Sequence, residues 1–300
     1  MSALRAEGQV GMMRSKLFVP ASRPALFLKA LASKADAVCF DLEDAVLPAQ
    51  KAEARSNLRA FLASDFHTNK TIMVRLNHVR SAHFAEDLAA AAWPTVSVLT
   101  LPKVEDPSEV TDVAEALLPL EKERKCGSPI AILATIESPR GLRLAESIAA
   151  AHARVAGLQL GLADLFEPLG IQHDGASAYQ VRLRLRVAAG EAGVPCFDSA
   201  FSNFKDEAGF IRDATMARSL GFSGKSCIHP GQIAAANRIF SPDAAEIAAS
   251  LRIVEAARVA AMGGAAVFAL DGRMIDAPFV RRAEALLQRA ENIRLLDNDK

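Results

Sequence analysis

Short apolar runs in this 300-residue chain end, one after another, on groups that do acid, base or metal chemistry. They close on Asp41-Leu42-Glu43-Asp44, Val74-Arg75-Leu76-Asn77, Leu101-Pro102-Lys103, Ile136-Glu137-Ser138, Gly161-Leu162-Ala163-Asp164 and Ile228-His229-Pro230. Glu137 and Asp164 offer two hard oxygen donors. These suit Mg²⁺, which takes one or two carboxylates and completes its octahedron with water and substrate. No His/Cys set suited to zinc accompanies them. The competing role is local, because a serine or carboxylate at such a position also caps the helix that follows. Arg75 carries a permanently charged planar fork, fitted to a substrate carboxylate or a developing enolate oxygen, or else to a salt bridge with Glu43 or Asp44. Asp41, Glu43 and Asp44 either hold water around a metal or pair with Arg75 and Lys103. Lys103 invites comparison with Schiff-base lysines, but its acidic neighbours favour a protonated, ion-paired side chain. His229 is either a structural histidine bonded to its own loop or a substrate contact.

These groups act together only if the runs that carry them are neighbouring strands. Apolar runs at 16–19, 37–41, 72–76, 97–101, 130–136, 157–160, 194–197 and 225–228 alternate with helical spacing at 24–32, 50–63, 108–121, 141–150, 178–192 and 207–220. That alternation predicts an α/β fold, a (β/α)8 TIM barrel, whose functional groups sit at the carboxyl ends of its strands. No G-x-G-x-x-G or G-x-x-x-x-G-K-[ST] follows any run, which argues against an open nucleotide-binding sheet. The barrel domain is expected over 14–240. Residues 241–300 exceed what closes it and read as a C-terminal helical extension, with helices at 243–261 and 279–293 around a short apolar segment, 265–270.

Composition narrows the partners. Lys+Arg of 35 balances Asp+Glu of 35, so there is no net positive field to make nucleic acid or an anionic membrane a default partner. No apolar stretch of about 18 residues runs uninterrupted, and the opening residues lack the apolar segment of a signal peptide, so a cytoplasmic protein is expected. Cys39, Cys126, Cys196 and Cys227 are scattered, as befits free thiols in a reducing compartment. Fifteen Phe stand against one Trp and one Tyr, and most are expected in the core.

The motifs resemble one family as an ordered set. Arg14-Ser-Lys-Leu-Phe-Val-Pro20, Ser22-Arg-Pro-Ala-Leu-Phe-Leu-Lys29, Asp41-Leu-Glu-Asp-Ala-Val46, Val74-Arg-Leu-Asn77, Leu101-Pro-Lys-Val-Glu105 and Ile136-Glu-Ser138 come first. Gly161-Leu-Ala-Asp164, Gly221-Phe-Ser-Gly-Lys225, Ile228-His-Pro-Gly-Gln232 and Asp271-Gly-Arg-Met-Ile-Asp276 follow. Together they are similar to the citrate lyase beta-subunit-like (CitE-like) family of the HpcH/HpaI aldolase group, close to malyl-CoA and citramalyl-CoA lyases. The resemblance implies a (β/α)8 barrel, a Mg²⁺ cofactor and a homo-oligomer, a trimer or hexamer, whose C-terminal extension packs on a neighbouring subunit. It also implies cleavage of a 3-hydroxyacyl thioester such as citramalyl-CoA, malyl-CoA or citryl-CoA into acetyl-CoA and a 2-oxo acid. Thioesterase or malate synthase-like activity, and action on an acyl-carrier-bound thioester, remain the alternatives. On the same footing Glu137 and Asp164 become metal ligands, Arg75 a substrate-binding and catalytic residue, and Asp276 an acid/base that reaches the neighbouring site. Phe18, Arg23, Lys29, Ile228 and His229 become substrate and coenzyme A contacts, with Asp41, Glu43, Asp44 and Lys103 behind them. Ala21 departs from the glycine usual after Val-Pro, and the longer insertion that malyl-CoA lyases carry after the metal aspartate is missing.

Overall fold

The computed structural model describes residues 10–298, residue 174 excepted. The opening residues 1–9, part of the stretch read above as lacking an apolar leader, lie outside the described residues. Eight parallel strands form a closed barrel in sequence order: β1 (Ser15–Pro20), β2 (Ala37–Asp41), β3 (Thr71–Arg75), β4 (Val98–Leu101), β5 (Ala131–Ile136), β6 (Val155–Leu160), β7 (Cys196–Asp198) and β8 (Gly224–Cys227). Closure is the β1–β8 pairing, with Lys16 opposite Ser226. Strands buried on both faces read as continuous apolar runs, which is why sequence located them within a few residues. Between them run α1 (Phe27–Leu31), α2 (Lys51–Leu62), α3 (Phe84–Ala91), α4 (Pro107–Glu123), α5 (Pro139–Arg143), α6 (Ala145–Ala149), α7 (Leu162–Phe166), α8 (Gly175–Glu191), α9 (Glu207–Ser219) and α10 (Ile233–Phe240).

Several local features differ from the sequence reading, the short helix α7 among them. The helix α3 was not expected; its N-cap, His83, makes no side-chain capping bond, and alanine supplies much of its buried face. The single helix expected over 141–150 is two five-residue helices, broken at Leu144, whose ψ of 12° leaves the helical region. The stretch 24–32 opens as a 3₁₀ turn, Pro24–Leu26, before α1.

Aliphatic and sulfur-containing side chains such as Ala37, Cys39, Met73, Val98 and Leu133 fill the barrel interior, together with Phe197. Outside it, Phe27, Phe40 and Phe61 meet edge to face at 4.7–5.4 Å, and Phe66 stacks on Phe61. That cluster accounts for part of the phenylalanine excess as core. The cysteines are free thiols, three of them buried on β2, β7 and β8. Arg182 and Lys225, both fully buried, share Asp198 and Asp213 and so tie α8, β7, α9 and β8 together.

The chain divides into two compact units between Ile239 and Phe240. The C-terminal unit holds α11 (Ala244–Met262), an antiparallel hairpin of β9 (Phe268–Leu270) and β10 (Arg273–Ile275), and α12 (Ala277–Asn298), which packs on α11. Asp243 and Glu246 start α11 with a reciprocal capping box. The hairpin turns at Asp271-Gly272, both at positive φ, the conformation that Asp-Gly favours in two-residue turns. Among the described residues no helix is long and apolar enough to cross a membrane.

Candidate active site

At the carboxyl ends of the strands, a cavity of about 430 Å³ opens in the barrel unit. Its wall brings together Asp41, Asp44, Arg75, Glu137 and Asp164, which come from different strand ends or the loops after them.

Ser138, not Glu137, caps α5: its Oγ accepts the Gly141 N–H at 3.0 Å. Glu137 is thereby released from capping and turns to the cavity. It is buried, and its Oε1 accepts the Lys103 N–H at 2.7 Å. Lys103 adopts φ 53°, a left-handed conformation uncommon for a side chain of this kind, in delivering that N–H. Gly161 passes so close to Glu137 that a Cβ there would overlap the carboxylate. Burial first, then the charges of Asp164 and Glu43, push the Glu137 carboxyl up to about 8. Asp164 sits exposed in the first turn of α7 and makes no side-chain cap. Two carboxylates facing one cavity and raising each other's energy are what a divalent cation relieves. No third His, Cys, Asp or Glu joins them among the described residues, which leaves the other coordination positions to water and ligand oxygens. The residues present fit Mg²⁺.

Beside this pair lies an ionic cluster. Arg75 grips Asp41 through two parallel bonds, Nε to Oδ1 at 2.7 Å and Nη2 to Oδ2 at 2.6 Å. Its Nη1 lies 2.9 Å from Glu43 Oε2, an ion-pair contact outside hydrogen-bond geometry, and 3.4 Å from Asp44. Arg75 is thus salt-bridged and at the same time lines the cavity. Asp41 is fixed from its other side by the N–H groups of Glu43 and Ala45. Burial pushes the Glu43 carboxyl up to about 7 against the pull of Arg75 and Lys103. Lys103 Nζ donates to Glu43 at 2.6 Å. Burial opposes its charge, but Glu43 and Asp44 hold it above the ordinary lysine value. A protonated, paired ammonium is no Schiff-base nucleophile.

Of the apolar residues expected here, Phe18 and Ile228 line the cavity. The Phe18 ring carries the Arg75 guanidinium at 5.1 Å and the Lys16 ammonium at 5.3 Å. Arg23 and Lys29 are exposed around the start of α1 and are not on the cavity wall. His229 is not on it either; its Nδ1 accepts the Gly231 N–H at 3.1 Å, and its ring stacks on Phe204 at 5.0 Å. Of the two roles open to it, that is the structural one. Asp276 belongs to the C-terminal unit, just before α12, where its carbonyl accepts the Phe279 and Val280 N–H groups.

Sequence reading missed the cavity floor. Thr135, Gln159 and Ser226 line it from within β5, β6 and β8, and Lys16 on β1 lies buried behind. Lys16 Nζ donates to Gln159 Oε1, while Gln159 Nε2 donates to the Leu160 and Asp198 carbonyls at 2.9 and 2.8 Å. Burial lowers the Lys16 ammonium to about 8. The available signal was a polar residue inside an apolar strand rather than at its end, as in Lys-Leu-Phe-Val-Pro or Gly-Leu-Gln-Leu.

Known proteins are similar to this chain over nearly its whole length. The chain is 36% identical over 285 residues to the citrate lyase subunit beta of Haemophilus influenzae, covering 94% of this chain and 98% of that one. It is 31% identical to an L-malyl-CoA/beta-methylmalyl-CoA lyase of Cereibacter sphaeroides, covering 93% and 95%. Among solved structures, the protein CitE of Mycobacterium tuberculosis, in complex with magnesium, acetoacetate and coenzyme A, superposes with a TM-score of 0.74 at 32% identity. That match covers 92% of this chain and 97% of the other. With the HpcH/HpaI aldolase/citrate lyase model matching residues 14–230, the chain belongs to the HpcH/HpaI aldolase/citrate lyase family.

Proposed function

We propose that this protein is a magnesium-dependent carbon–carbon lyase that reversibly cleaves a 3-hydroxyacyl-CoA, such as citramalyl-CoA, malyl-CoA or citryl-CoA, into acetyl-CoA and a 2-oxo acid. The observation that carries the reading is one cavity joining a carboxylate pair, Glu137 and Asp164, to an arginine anchored on Asp41. Similarity to citrate lyase beta subunits and to a malyl-CoA lyase supports the reaction class. A magnesium-bound relative supports the cofactor.

Glu137 and Asp164 would hold the ion, which when bound supplies Lewis-acid polarisation to the oxygens of the 2-hydroxy-acid half. In the cleavage direction the hydroxyl gives its proton to solvent, from which Asp276 is in turn reprotonated. The bond between the carbinol carbon and the carbon next to the thioester breaks, leaving the carbinol carbon as the carbonyl carbon of the 2-oxo acid. The electron pair passes to the thioester enolate. Arg75 binds that enolate oxygen as charge develops on it; its fork is already oriented by Asp41, so no reorganisation is required. Lys103 and Glu43 keep the Asp44 side of the rim in place. Asp276, donated by a neighbouring subunit of a trimer or hexamer, returns a proton to the acetyl carbon. Phe18 and Ile228 give the pantetheine arm an apolar wall, and Arg23 and Lys29 meet the coenzyme A phosphates from the rim. Free thiols and the reaction's substrates suit a cytoplasmic enzyme.

The test is incubation of the purified chain with Mg²⁺ and each of the three thioesters, with detection of the 2-oxo acid released. Pyruvate, glyoxylate or oxaloacetate is the expected product. Release of the free hydroxy acid would overturn the lyase reading in favour of a thioesterase, and turnover only after an acyl-carrier protein is added would make the chain a carrier-dependent subunit.

A further inference from the structure

The three candidate thioesters differ only in the substituent on the carbinol carbon: carboxymethyl in citryl-CoA, methyl in citramalyl-CoA and hydrogen in malyl-CoA. Some group in the cavity must read that difference, and the charged strand-end residues Arg75, Glu137 and Asp164 are given to the enolate and the metal ion. The floor supplies groups without an assigned task. Thr135 Oγ1 and Ser226 Oγ are buried, line the cavity, and have no hydrogen-bond partner among the described residues. A buried hydroxyl without a partner loses its hydration and gains nothing in return.

Register places these hydroxyls beside the Lys16–Gln159 link. Ser226 on β8 is the lateral neighbour of Lys16 on β1, and Thr135 on β5 is the lateral neighbour of Gln159 on β6. Gln159 is locked, because its amide N–H groups are spent on two backbone carbonyls and its oxygen faces Lys16. The Lys16 ammonium consequently has a neutral amide and the Phe18 and Phe197 rings for company, and no carboxylate among the described residues pairs with it. A buried cation lacking a counter-charge favours an anion brought within its reach.

We propose that Thr135 and Ser226, together with the Lys16 ammonium behind them, form the subsite that reads the substituent of the 2-oxo-acid half. The subsite takes an anionic substituent, a second carboxylate, in preference to a methyl group or hydrogen. The hydroxyls donate to the carboxylate and Lys16 neutralises it; a methyl group leaves both hydroxyls unpaired. A site built to hydrogen-bond a substrate group rejects the analogue lacking it far more strongly than an apolar pocket rejects a missing methylene.

This inference rests on the lyase reading, and the experiment separates the two. In the wild-type protein with Mg²⁺, kcat/KM for citryl-CoA should exceed that for citramalyl-CoA by at least about tenfold. Thr135→Val and Ser226→Ala, which keep volume nearly constant, should each lower that ratio by about tenfold, since each deletes a bond to a charged oxygen. A wild-type preference for citramalyl-CoA, or variants that slow both substrates equally, overturns the subsite while leaving the lyase intact. If no thioester is cleaved, the lyase reading fails and titration calorimetry with oxaloacetate and pyruvate decides the subsite. Tighter oxaloacetate binding that is lost in the Thr135→Val/Ser226→Ala double variant supports it, and equal affinities overturn it.

Discussion

Replacing Glu137 by glutamine separates the charge of this side chain from its shape. The carboxamide oxygen still accepts the Lys103 N–H that the carboxylate accepts at 2.7 Å, while the charge beside Asp164 and Glu43 disappears. The carboxyl is pushed up to about 8 from an ordinary 4.5, by burial first and its acidic neighbours second. A carboxyl whose pKa is higher folded than unfolded contributes stability that is complete below the unfolded value and is lost as pH rises through the folded one. In metal-free protein at pH 7, folding must protonate Glu137 or bury its charge, at a cost of roughly 3 kcal/mol. Glu137→Gln removes that cost. The variant should match the native protein near pH 4, exceed it by roughly 3 kcal/mol at pH 7, and exceed it by somewhat more at pH 8. Urea unfolding in EDTA across this range measures the difference. Added Mg²⁺ should then stabilise the native protein and not the variant, because only a binder of the folded state shifts its midpoint. A Glu137→Gln variant less stable than native in EDTA at pH 7, or equal stabilisation of both by Mg²⁺, would refute the reasoning that Glu137 stores unfavourable charge for a cation.

Other consequences are equally direct. Gly161→Ala places a methyl group where the Glu137 carboxylate lies; isothermal titration should show Mg²⁺ affinity falling at least about tenfold, with the far-ultraviolet dichroism of the barrel retained. Arg75→Lys cannot reproduce the two parallel bonds to Asp41, so turnover should fall about a hundredfold or more in steady-state kinetics. Arg182→Met leaves the buried Asp198 and the half-buried Asp213 with Lys225 as their remaining ion-pair partner. Urea unfolding should register a loss of about 3–5 kcal/mol, and a further Asp198→Asn change should restore part of it.

Strand positions, their order and the polar groups at their carboxyl ends were legible in the sequence, because parallel strands buried on both faces are runs of apolar residues that stop where solvent begins. Helix α3 was not legible, because alanine marks a buried helix face faintly and no cap announced its start. The competing roles of Glu137, Ser138, Arg75 and His229 were legible but undecided, since capping, pairing and ligand binding use the same residue types. Only the closed barrel distributed them: Ser138 took the cap, Arg75 took Asp41, and His229 took its own loop, which left Glu137 facing Asp164's side of the cavity. The floor belongs wholly to tertiary structure. Lys16 and Gln159 lie 143 residues apart, on strands that are not neighbours in the barrel, and no periodicity relates them. Sequence set which side chains point inward through the two-residue alternation of each strand, while closure of the barrel decided which of them meet and therefore which charges a ligand must answer.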